Sequence, residues 1–260
     1  MDKQTGKTVL VLGANSDVAK EAIKLYIKKG YKVIAASRST GELETFATAN
    51  GIPSSNGIPS TSGASTGIAP AGIDIRYFDA TAFETHEEFY RTLPRKPHIV
   101  LYAAGFQVTN DQALVDWEGS YRMIQVLYAG AVSILNRIVM DKDNDHLERI
   151  VGLSSLSGVR GRKSNFIYGS TKSAFTQYLA GLRQFLFPRR VVVNAIVAGY
   201  IRSKLTAGLD LPESLLLEPS FVADAVVNAG KGFVIVPGWK WKLIYRILKY
   251  SPETLVARLP

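Results

Sequence analysis

Tyr168 and Lys172 stand four residues apart in Tyr168-Gly169-Ser170-Thr171-Lys172. On a helix that spacing puts the phenol and the ammonium on one face. A free phenol titrates near pH 10, so tyrosine alone is a poor base at neutral pH. A nearby lysine charge favours the phenolate and lowers that value. The tyrosine can then exchange a proton with an alcohol or carbonyl oxygen. Thirteen residues before Tyr168, the apolar run Ile150–Leu153 ends in Ser154-Ser155. A hydroxyl at the C-terminal end of a strand can hydrogen-bond the same substrate oxygen. A tyrosine–lysine pair at this spacing occurs often by chance; the upstream serine makes the set more specific.

Elements must hold these groups in register. Short apolar runs at Thr8–Leu12, Lys32–Ala36, Ile75–Phe78, Ile99–Tyr102, Ile150–Leu153, Val191–Val197 and Phe233–Val236 read as strands, nearly continuous in apolar character, as strands buried on both faces are. Helical patterns lie between them, at about Asp17–Lys29 (with Gly30 as a C-cap signal), Glu42–Ala49, Ala82–Leu93, Gln112–Met140 and Asn165–Phe185. Alternation of this kind predicts a single-domain α/β fold: a doubly wound parallel sheet of about seven strands, a Rossmann fold, with helices on both faces. Ligands bind such sheets at the carboxyl ends of the strands. Residues 1–238 form the dinucleotide-binding catalytic domain on this reading. Residues 50–72, rich in Gly, Pro, Ser and Thr with NGIPS repeated, read as a flexible insertion. Residues 239–260 read as a basic amphipathic tail.

The first strand runs into Gly13-Ala14-Asn15-Ser16-Asp17-Val18-Ala19. Glycine there permits a tight turn, and the helix start that follows offers unpaired N–H groups to a pyrophosphate. Asp17 reads equally as a helix N-cap. The second strand ends in Ser37-Arg38-Ser39, where an acidic residue would bind the free 2′-hydroxyl of NAD and a basic one the 2′-phosphate of NADP. Arg38, flanked by hydroxyls, favours NADP(H) over NAD(H).

Taken in order along the chain, these residues resemble the short-chain dehydrogenase/reductase family over essentially the full length. GANSDVA resembles the family's TGxxxGxG turn. Asp79 in FDAT, followed by Ala80, is similar to the aspartate that contacts adenine. Ala103-Ala104-Gly105 is similar to the NNAG motif, and Ala198-Gly199 with Ile201 and Ser203 to the segment flanking nicotinamide. The resemblance implies that Tyr168 is the general acid in reduction and the base in oxidation. It implies that Lys172 holds the nicotinamide ribose and depresses Tyr168, that Ser155 orients the substrate carbonyl, and that the cofactor supplies the hydride. It also implies a homodimer or homotetramer, packed through the helices containing Tyr168 and Gln125. Four positions depart from the pattern. Asp17 and Ala19 stand where glycines are usual, and Ala198 replaces a proline. Leu127, in IQVLYAG, takes the place of an asparagine that holds a water for proton relay, which leucine cannot do.

With no cysteine, disulfides and thiolate metal sites are excluded. His86, His98 and His146 lack metal spacing, so no metal is expected. The N-terminus reads as lacking a signal peptide, and no stretch reaches the roughly 18 apolar residues of a membrane span; a cytoplasmic location is the default. The net charge of +9 comes with no nucleic-acid motif. Part of it falls in GWKWKLIYRILKYSPETLVARLP, where on a helix Trp241, Ile244, Tyr245 and Leu248 share one face and Lys242, Arg246 and Lys249 another. That suits either packing on the core or contact with a membrane surface. The tail resembles that of reductases similar to decaprenylphosphoryl-2-ketopentose reductase, which implies a bulky, hydrophobic or lipid-linked keto-sugar as substrate. Two other readings compete with a reductase: a catalytically weak or silent NADP-binding protein at the membrane periphery, motivated by Leu127, Asp17 and Ala198, and a sugar epimerase or dehydratase. The short chain after Lys172 leaves the last little room for a substrate domain.

Overall fold

The computed structural model describes residues 6–56 and 72–258. Eight strands form one sheet: β1 (Thr8–Leu12), β2 (Lys32–Ser37), β3 (Ser54–Asn56), β4 (Ile73–Tyr77), β5 (Ile99–Tyr102), β6 (Arg149–Ser155), β7 (Val192–Ala198) and β8 (Val234–Ile235). Every pairing is parallel, and the order is β3-β4-β2-β1-β5-β6-β7-β8. The order reverses between β1 and β5, and that switch point opens a crevice at the carboxyl ends of the strands.

Helices cover both faces: α1 (Asp17–Lys28), α2 (Thr40–Ala49), α3 (His86–Arg91), α4 (Asn110–Val115), α5 (Trp117–Ile124), α6 (Gly130–Met140), α7 (Phe166–Phe185), α8 (Pro219–Val227), α9 (Trp239–Tyr250) and α10 (Glu253–Val256). Strand alternation divides the core. Val9 and Val11 of β1 pack with Ile23 of α1, Leu43 of α2 and Val222 of α8. Leu10 and Leu12 face the other way, into a core with Ile134 of α6, Phe175 of α7 and Trp241 of α9.

Four features correct the reading from sequence. The sheet, expected to have about seven strands, has eight, because Ser54–Asn56, at the start of the expected flexible insertion, pairs with β4 at the sheet edge. The rest of that insertion, 57–71, lies outside the described residues. Asp17 is the first helical residue of α1, with Ser16 as the N-cap. The helix expected over 82–93 is a 3-10 turn, Phe83–Thr85, followed by α3. The single helix expected over 112–140 is interrupted twice. Asp116 turns extended and caps α5, accepting from the N–H groups of Glu118 and Gly119 at 3.0 and 3.2 Å. A π-turn, Gln125–Ala129, then joins α5 to α6.

Against expectation, the helical run Trp117–Met140 is long and apolar enough by composition to cross a membrane. Half of its most apolar window is buried inside the protein, with Ile134, Leu135 and Ile138 fully enclosed, which is the signature of a core helix covering a sheet.

Candidate active site

Three chain segments converge on the crevice. β6 delivers Ser155 as its last residue, in register with Ala198 at the end of β7. The next turn packs hard against α7: a Cβ on Gly169 would fall 2.6 Å from the Ser157 carbonyl oxygen. This close approach brings Tyr168, one residue earlier, to the Ser155 hydroxyl. Lys172, one turn further on, is buried, and its Nζ donates to the Leu153 carbonyl at 2.8 Å. The ammonium stands 5.9 Å from the centroids of both the Tyr168 and Phe175 rings.

The electrostatics reverse one expectation. Burial pushes Tyr168 up to about 12, and the hydrogen bond with Ser155 draws it only part of the way back. Burial also brings Lys172 down to about 8. Desolvation of both groups therefore outweighs the expected depression of the phenol by the lysine charge, because the charged form of each is the one that suffers in a low-dielectric wall. At neutral pH the phenol is a proton donor.

These side chains line one end of a cavity of about 810 Å³. Gly13, Asn15, Ser16, Asp17, Val18, Ser37, Arg38, Asp79, Ala80, Ala103, Ala104, Gly105, Ala198, Gly199 and Ile201 share its wall with Ser155, Tyr168 and Lys172. Ser39 stands off the wall: it is exposed, and its carbonyl accepts from Asn15 Nδ2 at 2.8 Å. Gly13 has φ +81°, and a Cβ there would lie 2.3 Å from the Ala104 nitrogen. Its glycine is thus required by the strand-end packing itself. Ser16 makes no side-chain capping bond, which leaves the first amides of α1 facing the crevice for an anion. Asn15 donates to Ser37 Oγ at 2.9 Å, while its Oδ1 is buried with no partner. Arg38 is exposed at the rim beside buried Ser37. A glycine cradle, open helix amides, an unpaired amide oxygen and a rim arginine fit a phosphorylated dinucleotide. Asp79 is partly spent on its own turn, accepting from the N–H and hydroxyl of Thr81 at 2.9 Å each.

Sequence reasoning missed other parts of the wall. Gln107, Thr109, Asn110, Gln112, Ser157 and Asn165 give the end near Tyr168 an amide and hydroxyl lining. Glu42 and Lys204 close the other side. A capping box, Thr109 with Gln112, was the one local signal for the first group; the rest are near only in space. Leu127 is buried and off the wall, which Val126 lines instead. Among the described residues no cluster of three or more His, Asp or Glu could hold a metal ion. His86 is enclosed, bonded to Ser133 and to the Asp79 carbonyl.

The whole chain has relatives. It is 26% identical over 263 residues to an "uncharacterized oxidoreductase" of Myxococcus xanthus, covering 98% of this chain and 96% of that one. A short chain dehydrogenase from Burkholderia cenocepacia, solved in complex with NADP, superposes with a TM-score of 0.77 at 18% identity, covering 99% of each chain. One from Sphingobium yanoikuyae, in complex with NADPH, gives 0.76 at 19%, covering 98% and 96%. Residues 7–213, from the start of β1 through the loop after β7, match the short chain dehydrogenase family, so this chain is an oxidoreductase that belongs to the short-chain dehydrogenase/reductase family.

Proposed function

We propose that this protein is a reductase that uses NADPH to reduce a bulky, hydroxyl-rich carbonyl compound, with Ser155, Tyr168 and Lys172 as its catalytic residues. The observation that carries this is the meeting of a half-buried phenol, a serine hydroxyl and a buried lysine in the wall of one cavity that Arg38 also lines. When bound, the cofactor supplies the hydride. Its 2′-phosphate would meet Arg38 and Ser37, its pyrophosphate the first amides of α1, and its nicotinamide ribose Lys172. Ser155 orients the substrate carbonyl. Tyr168 donates its proton to the carbonyl oxygen as negative charge develops there. A phenol held near 12 suits the acid role and hence reduction; Lys172 then stabilises the phenolate left behind.

The substrate class follows from the lining. Amides and hydroxyls at the Tyr168 end suit a polyhydroxylated group such as a keto-sugar, and exposed Leu205 and Leu209 at the rim suit an apolar or lipid-linked portion. α9 supports a peripheral membrane contact in a new way. Trp241, Ile244, Tyr245 and Leu248, the face expected to be apolar, pack on the core. A second stripe, Trp239, Leu243, Ile247 and Tyr250, stays exposed beside Lys242, Arg246 and Lys249, a pattern of an interfacial helix. A cytoplasmic protein that visits the inner membrane surface fits these features. Exposed Trp117, Tyr121, Phe166 and Phe185 on α5 and α7 suit a homodimer or homotetramer through those helices. Tyr168→Phe tests the chemistry: NADPH binding is retained while turnover with ketone substrates, including lipid-linked keto-sugars, falls by about 10²–10⁴. Normal turnover in that variant would overturn the assignment. A feeble wild type that gains greatly from Leu127→Asn would favour the catalytically silent reading.

A further inference from the structure

One lysine outside the catalytic set ties together three distant segments. The backbone N–H of Lys204 donates to Asp17 Oδ2 at 2.8 Å. Its Nζ meets Glu42 Oε1, and the same carboxylate oxygen accepts from Lys20 at 2.7 Å. The start of α1, the start of α2 and the β7–α8 loop are thereby joined. Around Lys204 that loop is braced. Thr206 Oγ1 accepts from the Ser203 N–H at 3.1 Å, and Arg202 is held by Glu213 at 2.7 Å and Glu218 at 2.9 Å. Leu205, the next residue, packs on Gly105 beyond the end of β5. The short segment 202–206 therefore crosses the crevice from β5 to α1 and α2, and Asp17, Glu42, Lys204, Leu205 and Gly105 all line the cavity beneath it.

Asp17 also needs an explanation. A carboxylate at the first residue of α1 complements the helix dipole but opposes an anion binding there. In the structure that charge is turned onto the Lys204 N–H, away from the open amides.

We propose that Lys204 is a cofactor-retaining residue: its ammonium on Glu42, added to its backbone N–H on Asp17, straps the β7–α8 loop over the dinucleotide crevice, and the ammonium–carboxylate contact breaks when the cofactor exchanges. This rests on the reading of the crevice as a dinucleotide site. The ion pair keeps its charge over the working pH range. Burial alone would raise Glu42, but hydrogen bonds from Lys20 and Lys204 bring it below its ordinary value, and Glu42 in turn raises Lys204. Lys204 is 62% and Glu42 37% exposed at the side chain, so the latch is weak and releasable rather than permanent.

The test is stopped-flow release of NADPH from the full-length chain, with thermal melting to confirm that each variant is folded. Lys204→Met and Glu42→Gln each release NADPH about two- to fivefold faster than wild type. The double variant releases it no faster than either single one, since both remove the same contact, and Lys204→Arg releases it at nearly the wild-type rate. Wild-type release from Lys204→Met, or multiplied effects in the double variant, would overturn the strap while leaving the cofactor site intact. A wild-type chain that fails to bind NADPH at all overturns the cofactor reading, and the strap with it.

Discussion

Replacing Lys172 by methionine should make the cofactor-free protein more stable while removing its activity. Lys172 is 5% exposed, and burial takes its ammonium from an ordinary 10.5 to about 8. Keeping that charge at pH 7 costs the folded chain about 3 kcal/mol, at about 1.36 kcal/mol for each pH unit between the two values. Methionine fills a similar volume without a charge. It gives up the charge-assisted bond from Nζ to the Leu153 carbonyl, worth about 2 kcal/mol net. The balance is a gain of about 1 kcal/mol, or about 2–4 °C in Tm for a chain of this length. The pH dependence carries the mechanism. Between pH 8 and 10.5 the unfolded wild type still holds the Lys172 proton and the folded one has released it. The unfolded state then binds more protons, so wild-type stability rises with pH through that window and the advantage of methionine shrinks. Thermal melts of both proteins at pH 7 and pH 10, without nucleotide, measure this directly. A variant that melts below wild type at pH 7, or an advantage unchanged at pH 10, would refute the reasoning. Turnover by the variant should fall by at least about 10².

Three other perturbations follow from the geometry. Gly13→Ala puts a methyl group 2.3 Å from the Ala104 nitrogen at φ +81°; it should destabilise the fold by at least about 3 kcal/mol, seen as a lowered Tm by circular dichroism even without cofactor. Arg38→Ala should raise the KM for NADPH about tenfold or more, the loss of one charge-assisted contact, and leave the KM for NADH nearly unchanged; equal effects on both would remove Arg38 from 2′-phosphate recognition. Leu243→Glu with Ile247→Glu alters only the exposed stripe of α9 and should abolish co-sedimentation with anionic vesicles without changing Tm, whereas undiminished sedimentation would assign membrane contact elsewhere.

The strands were legible because burial on both faces leaves a run such as Val9–Leu12 apolar throughout, and a parallel sheet needs that. Ser155, Tyr168 and Lys172 could be grouped as candidates because two of them share a helix face and the third ends a strand. The edge strand Ser54–Asn56 was not, since an edge pairs through backbone groups and its residues, two serines and an asparagine, carry no apolar pattern. Nor was the sign of the Tyr168 shift. Spacing places a lysine near a phenol, but only the three-dimensional surroundings say how much water each has lost.

Leu127 shows a different limit. Read as a letter in a pattern, it is the loss of an asparagine and hence of a relay. In the structure this position lies in the π-turn Gln125–Ala129. A π-turn leaves a carbonyl without its usual helical partner, and here the fully buried Tyr102 hydroxyl donates to the Val126 carbonyl at 2.6 Å. Tyr102 immediately precedes Ala103-Ala104-Gly105, so the end of β5 anchors the very turn that carries Leu127. Leucine then serves as core, and Val126 rather than Leu127 reaches the cavity wall. In this chain an apolar side chain on the helix thus goes with a phenol on the strand beneath it. Such a pair is invisible one position at a time, because neither residue alone signals a hydrogen bond that exists only once α5, α6 and β5 are packed together.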